Sequence, residues 1–417
     1  MRKLRRRIFI GAGFNTMCFG SGRKEFHPKL PMPTFESYLR EAAAGSLAQV
    51  PHPDFDEGVI ANFMAGRFLK QGNLPGFLPM AVPGLKGKPC SRVEGACGSG
   101  GLALAAAARS ILAEMADTVF VAGFEVQNTL KAVYVADVLA GAGYFNGERK
   151  QGHAFFFPGA FSDRAGAYGE RYGKDLARQA MAKWFELSIV NARRNPKAQE
   201  FHNTAADPLA LGMTTPDGRK FVHHLNLFDC SKVSDGASAL VMASEEGLRR
   251  LGLKREAMIE LTGFHGSEGD ITARPADPTV LENTGKAAQG AWEMAGVGKG
   301  DIGVLELHDC FSITGLLALE SLGFAAPGAA TRLVLDGHTA RDGSLPTNLS
   351  GGLGGFGHPV GATGVRQMVD LFEQLRGLAP NPATPSGTGP SGKEHGMMVS
   401  MGGNDMTVTA LVVRRAA

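Results

Sequence analysis

Cysteine is scarce in this chain of 417 residues, with five at positions 18, 90, 97, 230 and 310. An odd number cannot all pair and no CxxC occurs, so neither a disulfide scaffold nor a cysteine zinc site is supported, and a reducing, cytoplasmic setting is expected. Charge is also thin. Asp, Glu, Lys and Arg make up 20% of the chain, below the usual ~25%. Lys plus Arg is 43 against 40 for Asp plus Glu, so no basic surplus marks a nucleic-acid or anionic-membrane partner. No uninterrupted apolar run reaches the ~18 residues of a membrane span. The start, MRKLRRRIFIG, has the charged residues of a signal peptide, and Arg6, Arg7, Ile8 and Phe9 resemble a twin-arginine signal. Only three apolar residues precede Gly11, against the ~7–15 of a signal core, so residues 8–10 read as the first buried strand.

Glycine is what the chain has in excess: 57 residues, about twice the usual ~7%. That suits buried strands joined by tight turns. The length suggests two or three packed units at a prior of roughly 150 residues each, and a duplication is visible. GACGSGG at 95–101 opens into the helical text LALAAAARSILAEMA and then the apolar strand TVFVAGFE; FGHPVGATG at 356–364 opens into VRQMVDLFEQLRG and later GMMVSMGG. The two helices carry different burial signals. Residues 102–115 are apolar on nearly every face and predict an interior helix. Val365, Met368, Val369 and Phe372 stand at i, i+3, i+4, i+7 and predict a single covered face. Runs such as 119–122 and 240–243 predict strands covered on both sides, giving an α/β class. Residues 140–219, with a helical stretch over 174–195, depart from this plan. The Pro/Gly/Ser/Thr-rich stretch 379–393 reads as an exposed loop.

Four short segments carry chemistry. Cys97 precedes a helix, where unpaired N–H groups and the dipole stabilise a thiolate and lower its pKa below the free ~8.5. The competing reading is a small buried thiol. His358, in the matching turn of the second repeat, is the base such a thiol needs, or a structural histidine. His308, Asp309, Cys310 and Phe311 follow an apolar run, at a strand end where α/β sheets bind ligands. Metal spacing is lacking: His223 and His224 are adjacent, so no metal is expected. Ser400, Met401, Gly402 and Gly403 follow the last apolar strand; their N–H groups either face an oxyanion or make a turn.

GACGSGG at 95–101, CSKVSDGASAL at 230–240, HDCF at 308–311, NLSGGLGGFGHPVGATG at 348–364 and GMMVSMGG at 396–403 together resemble the thiolase family, in order and over nearly the whole chain. HDCF in place of NEAF makes the chain similar to the sterol-carrier-protein-type branch. The resemblance implies a five-layered αβαβα fold built from two βαβαβαββ halves, with an N-terminal half at 1–139 and 220–250, a loop domain at 140–219 and a C-terminal half at 251–417. It implies thiolytic cleavage of a β-ketoacyl-CoA, or the reverse Claisen condensation, with CoA and acyl-CoA as substrates and no permanently bound cofactor.

The same resemblance assigns roles. Cys97 takes the acyl group; His358 deprotonates it and, with His308, holds a thioester oxygen as an enolate forms. The N–H groups of Cys97 and Gly402 form the second oxyanion hole. Many relatives carry an acid/base cysteine in a CxG motif where this chain has Ser400, and Cys310 is the natural replacement. Arg193, Arg194, Lys197, Arg219 and Lys220 are candidates for CoA phosphates or plain surface charge. Phe155, Phe156 and Phe157 line the acyl pocket or pack in the core. A homodimer is implied, with a small zinc-ribbon/OB-fold protein as a partner of some relatives. Two other readings stand beside this one: a ketosynthase-like condensing enzyme, against which the GHPxGATG context argues, and a degenerate acyl-CoA-binding or complex subunit, motivated by Ser400.

Overall fold

The computed structural model describes residues 3–27, 29–148, 155–383 and 393–416. Most of the stretch read as an exposed loop at 379–393 therefore lies outside the described residues. In chain order the strands are β1 (Ile8–Asn15), β2 (Glu57–Ala61), β3 (Cys90–Val93), β4 (Thr118–Glu125), β5 (Gly236–Ala243), β6 (Ile259–Glu268), β7 (Ile302–Glu306), β8 (His395–Gly402) and β9 (Thr407–Arg415). Among the described residues they form one sheet, ordered β3, β2, β4, β5, β1, β6, β9, β8, β7. β4 and β5 are buried at every position, as expected for apolar runs with both faces covered.

The duplication is plain in the pairing. β2 runs parallel to β4, and β4–β5 and β5–β1 are antiparallel. β7 runs parallel to β8, and β8–β9 and β9–β6 are antiparallel. The halves join along a short antiparallel seam, Ile8 with Leu261, Phe9 with Glu260 and Ile10 with Ile259. Glu260 is clamped there by Arg7 Nε at 2.8 Å and Arg414 Nη2 at 2.9 Å.

Helices complete five layers. α1 (Phe35–Leu47) covers the outer face of β1 and β5. α2 (Ser99–Leu112) and, near the C-terminus, Thr363–Arg376 pack on each other between the strands of the two halves. Their contact with β2, β4, β8 and β1 builds a central core that includes Leu104, Ile111, Met368 and Val369. Among the described residues, the helices of eight or more residues that follow α2 before the second half begins are α3 (Ala132–Leu139), α4 (Phe156–Tyr172) and α5 (Lys174–Ala192). Then come α6 (Glu282–Ala295), which covers β6 and β9, α7 (Ser312–Ser321) and α8, the Thr363–Arg376 helix. α4 and α5 form a hairpin against α7, tied down by Tyr168 Oη to Glu320 at 2.5 Å and by the Arg178 fork on Asp229.

α8 corrects one expectation. A single covered face was predicted, yet its polar side is interior too: Arg366 is 1% exposed, Gln367 0% and Asp370 4%. The charges pair instead of reaching water. Arg366 binds Asp370 and the Ser350 hydroxyl, its guanidinium lies over the Phe356 ring at 4.8 Å, and Asn15 Nδ2 donates to Asp370 at 2.9 Å.

Candidate active site

After β3 the chain turns sharply. Ala96 sits at φ +53°, uncommon for a residue with a Cβ. Glu94 Oε1 accepts the Ala96 N–H at 2.6 Å, while Ser99 Oγ accepts from Gly95 N–H at 3.0 Å and donates to the Ala96 carbonyl at 2.6 Å. These bonds hold Cys97 in a single 3-10 turn, Ala96–Gly98, directly before α2. In the second repeat, His358 likewise precedes a turn, Val360–Ala362, that opens α8. The two helix starts touch through bare backbone: a Cβ on Gly100 would lie 2.6 Å from the Gly364 Cα.

His308 arrives from a third direction. β7 ends at Glu306, and Asn348 acts as a surrogate strand for the next residue, its Oδ1 accepting from Leu307 N–H at 2.7 Å and its Nδ2 donating to the Leu307 carbonyl at 3.1 Å. Asp309 accepts from Trp184 Nε1 and Leu353 N–H, both at 2.8 Å. Held in this way, the donor atoms of Cys97, His308 and His358 all lie within 4.8 Å of one another. The two imidazoles meet edge to face at 5.1 Å between centroids.

Hydrogen bonding sets the state of His358. The Thr363 hydroxyl donates to the Pro359 carbonyl at 3.0 Å, so its oxygen accepts from His358 Nδ1 at 2.7 Å. His358 Nε2 has no partner and keeps its lone pair. Burial, then the Arg366 charge, pushes the His358 pKa down to about 3. Burial, with His358 and Arg366 adding, holds His308 well below the ordinary range as well. Both rings are therefore neutral at rest.

Cys97 departs from the lowered thiol pKa predicted for a helix start. Burial and the Glu125 carboxylate push it up to about 12, against the opposing N–H groups of Gly403 and of Cys97 itself. The resting pair is a thiol and a neutral imidazole, so activation takes the form of proton transfer from sulfur to Nε2 rather than of a standing thiolate. Cys310 lines the same cavity as Cys97; burial, Cys97 and Asp309 hold its thiol well above the ordinary range. Gly402 abuts the Cys97 turn, its amide nitrogen 3.1 Å from where a Cβ on Gly98 would stand. Among the described residues, Cys97, His308 and His358 are also the grouping with the reach and donor chemistry for a zinc-type cation.

Other candidates lie elsewhere. Ser400 is fully buried between Gly101 and Gly364 and is not among the residues that line the cavity. Arg193 binds Asn203 and the Ala205 carbonyl, Lys197 lies 3.7 Å over the Phe14 ring, and Arg219 and Lys220 flank Asp217. None of these, nor Arg194, lines the cavity. Of the three phenylalanines, Phe157 reaches the cavity; Phe156 packs against it and Phe155 against Phe221.

Sequence reasoning passed over several supporting groups. Glu125, fully buried, accepts from Phe63, Met64 and Gly361 N–H groups and from Asn62, so it ties the first half to the His358 turn; burial raises its pKa to about 7. A lone acid ending an apolar strand was the available signal. Ser234 Oγ accepts from His358 N–H at 2.9 Å, and Gln127 Nε2 donates to the His358 carbonyl at 2.9 Å.

Comparison with known proteins bears on the family to which the chain belongs. Residues 266–415 match the family described as thiolase C-terminal domain-like. An acetyl-CoA acetyltransferase of Methanothermobacter thermautotrophicus is 32% identical over 385 residues, 92% of this chain and 95% of the relative. Sterol carrier protein 2 of Bos taurus is 28% identical over 392 residues, 90% of this chain and 67% of the relative. A solved structure described as an "Ltp2-ChsH2(DUF35) aldolase" superposes with a TM-score of 0.76 at 22% identity, covering 99% of both chains. With identity at this level spanning nearly all of both sequences, the chain belongs to the thiolase family.

Proposed function

We propose that the protein is an acyl-CoA C-acyltransferase of the thiolase type, cleaving a β-ketoacyl-CoA with CoA, or running the reverse Claisen condensation, through an acyl group on Cys97. The observation that carries the reading is the convergence of Cys97, His308 and His358 donor atoms within 4.8 Å. His358 Nε2 takes the thiol proton as sulfur attacks the β-keto carbonyl. The carbon–carbon bond breaks, and its electrons pass to the leaving enolate, whose oxygen sits between His308 and His358. Cys310 supplies the proton to the enolate carbon. The Cys97 and Gly402 N–H groups hold the oxyanion on the acyl carbon; losing one such donor typically costs about 3–4 kcal/mol of barrier, ~10²–10³ in rate. CoA thiol then gives its proton to the Cys310 thiolate as its sulfur attacks the acyl carbon, and the Cys97 sulfur leaves and takes back the proton held by His358.

Pure protein mixed with acetoacetyl-CoA and CoA should release acetyl-CoA, and rapid quenching should leave an acetyl adduct on the peptide bearing Cys97. Cys97→Ala should lose both. No cleavage and no adduct with any β-ketoacyl-CoA would leave the degenerate acyl-CoA-binding reading in possession. A homodimer, and association with a small zinc-ribbon/OB-fold protein, are part of the same proposal; the structural neighbour described as an "Ltp2-ChsH2(DUF35) aldolase" names a second component beside Ltp2.

A further inference from the structure

We infer that the acyl pocket selects a compact, uncharged, apolar acyl group of about the bulk of a benzene ring, such as benzoyl or hexanoyl, over acetyl, long-chain and carboxylated groups. The inference rests on the acyl-Cys97 reading and deepens it.

The cavity that opens on Cys97, Cys310 and His358 has a volume of about 160 Å³. Apolar cavities of ~150 Å³ in proteins stay dry and take benzene. An acetyl group leaves most of such a space empty, so the lining atoms forfeit contacts. A long chain exceeds it.

Its shape follows from one helix face. Ala132, Val135, Ala136 and Leu139 of α3 all line the cavity, at the i, i+3, i+4, i+7 spacing that puts side chains on one side of a helix. Two of the four are alanine, which gives the pocket its width. Rings line it as well: Phe161 and Phe311 are stacked at 4.6 Å with 24° between planes, and both are part of the cavity wall. Flat, apolar groups gain from edge and face contacts with such rings.

Charge is excluded by the same wall. Among the described residues no Asp, Glu, Lys or Arg lines the cavity, and His358 is neutral there. A carboxylate carried into it would lose its water and find no cation, so a succinyl group is rejected even though its length fits.

The test compares kcat/KM of the native enzyme in thiolysis of acetoacetyl-, β-ketooctanoyl-, benzoylacetyl-, β-ketoadipyl- and β-ketopalmitoyl-CoA. The expected result is that the benzoyl and hexanoyl donors exceed acetoacetyl-CoA by about tenfold or more and β-ketoadipyl-CoA by about a hundredfold. Acetoacetyl- or β-ketopalmitoyl-CoA performing as well as these, or β-ketoadipyl-CoA matching them, would overturn the inference. Ala136→Leu should lower the benzoyl-to-acetyl ratio by about tenfold; a ratio measured within one variant is not moved by a general loss of folded protein, and an unchanged ratio counts against the pocket. If no substrate is turned over, the acyl-transfer reading fails first. Calorimetric binding of phenacyl-CoA and acetonyl-CoA, thioethers that cannot transfer an acyl group, then ranks the pocket by itself: phenacyl-CoA binding about tenfold tighter supports the size selection, and equal binding overturns it.

Discussion

At Cys310, burial and the neighbouring Cys97 and Asp309 keep a proton on the thiol, which is the state needed by a group that must quench a carbanion beside it. Cys310→Ala should therefore still form the acyl adduct on Cys97 when offered an acyl-CoA, while steady-state thiolysis falls by about 10²–10⁴. Adduct yield by mass spectrometry and turnover by thioester absorbance separate the two; undiminished turnover removes Cys310 from the role. Cys97, His308, His358 and Cys310 were legible because each is a reactive type at a turn or strand end. Thr363, Asn348, Ser234 and Glu125 were not. They act on backbone groups or ring nitrogens that come near only after folding, and a threonine that fixes a tautomer looks like any other helix-start threonine. The direction of the Cys97 shift was hidden for a related reason, since the dipole is local whereas desolvation and the Glu125 charge are contributed by the other strands.

The α8 helix shows how far pattern carries at the level of one element. Its apolar stripe located it correctly, and its burial on the remaining side escaped because Arg366, Gln367 and Asp370 read as solvent-facing. Their partners Asn15 and Ser350 are distant in sequence or on another segment. A buried ion pair is costly to break by halves. Asp370→Ala would leave the Arg366 guanidinium with the more distant Glu306 at 3.9 Å and should destabilise by about 3 kcal/mol, whereas Arg366→Met combined with Asp370→Ala should cost less than the sum of the singles. Urea unfolding followed by tryptophan fluorescence measures both, and additive losses would mean the pair is not coupled.

Across the whole molecule, burial leaves an excess of reluctant carboxyl groups. Desolvation raises Glu125 and Glu373 to about 7 and Asp235 to about 6. Between the ordinary carboxyl range of about 4 and about 7 the native chain holds protons the unfolded chain has released. Their contribution to stability is therefore fully present below that window and lost as pH rises through it. His308 and His358, held neutral by burial, act in the opposite sense within this window, since the unfolded chain protonates them below about 6.5; Asp277, held down to about 2 chiefly by Arg171, does so only at more acid pH. The melting temperature of Glu373→Gln, taken relative to that of the native chain, should consequently rise as pH is raised from about 5 to about 7.5 at constant ionic strength, because the variant removes one such acid and leaves the histidines in place; an unchanged or falling difference would contradict the buried-acid account. The duplication was readable from two matching turn–helix–strand texts and the layer order only through the family resemblance, while the seam between β1 and β6 was not readable, because its few pairs carry no periodic mark. That seam is short, and the spacing between reacting groups from opposite repeats is gauged instead where Gly100 meets Gly364. Contact there is main chain on main chain, with no rotatable bond to absorb error. The tolerance of the chemistry is consequently machined by covalent geometry, and it is the missing side chains, more than any present one, that calibrate the distance between sulfur and imidazole.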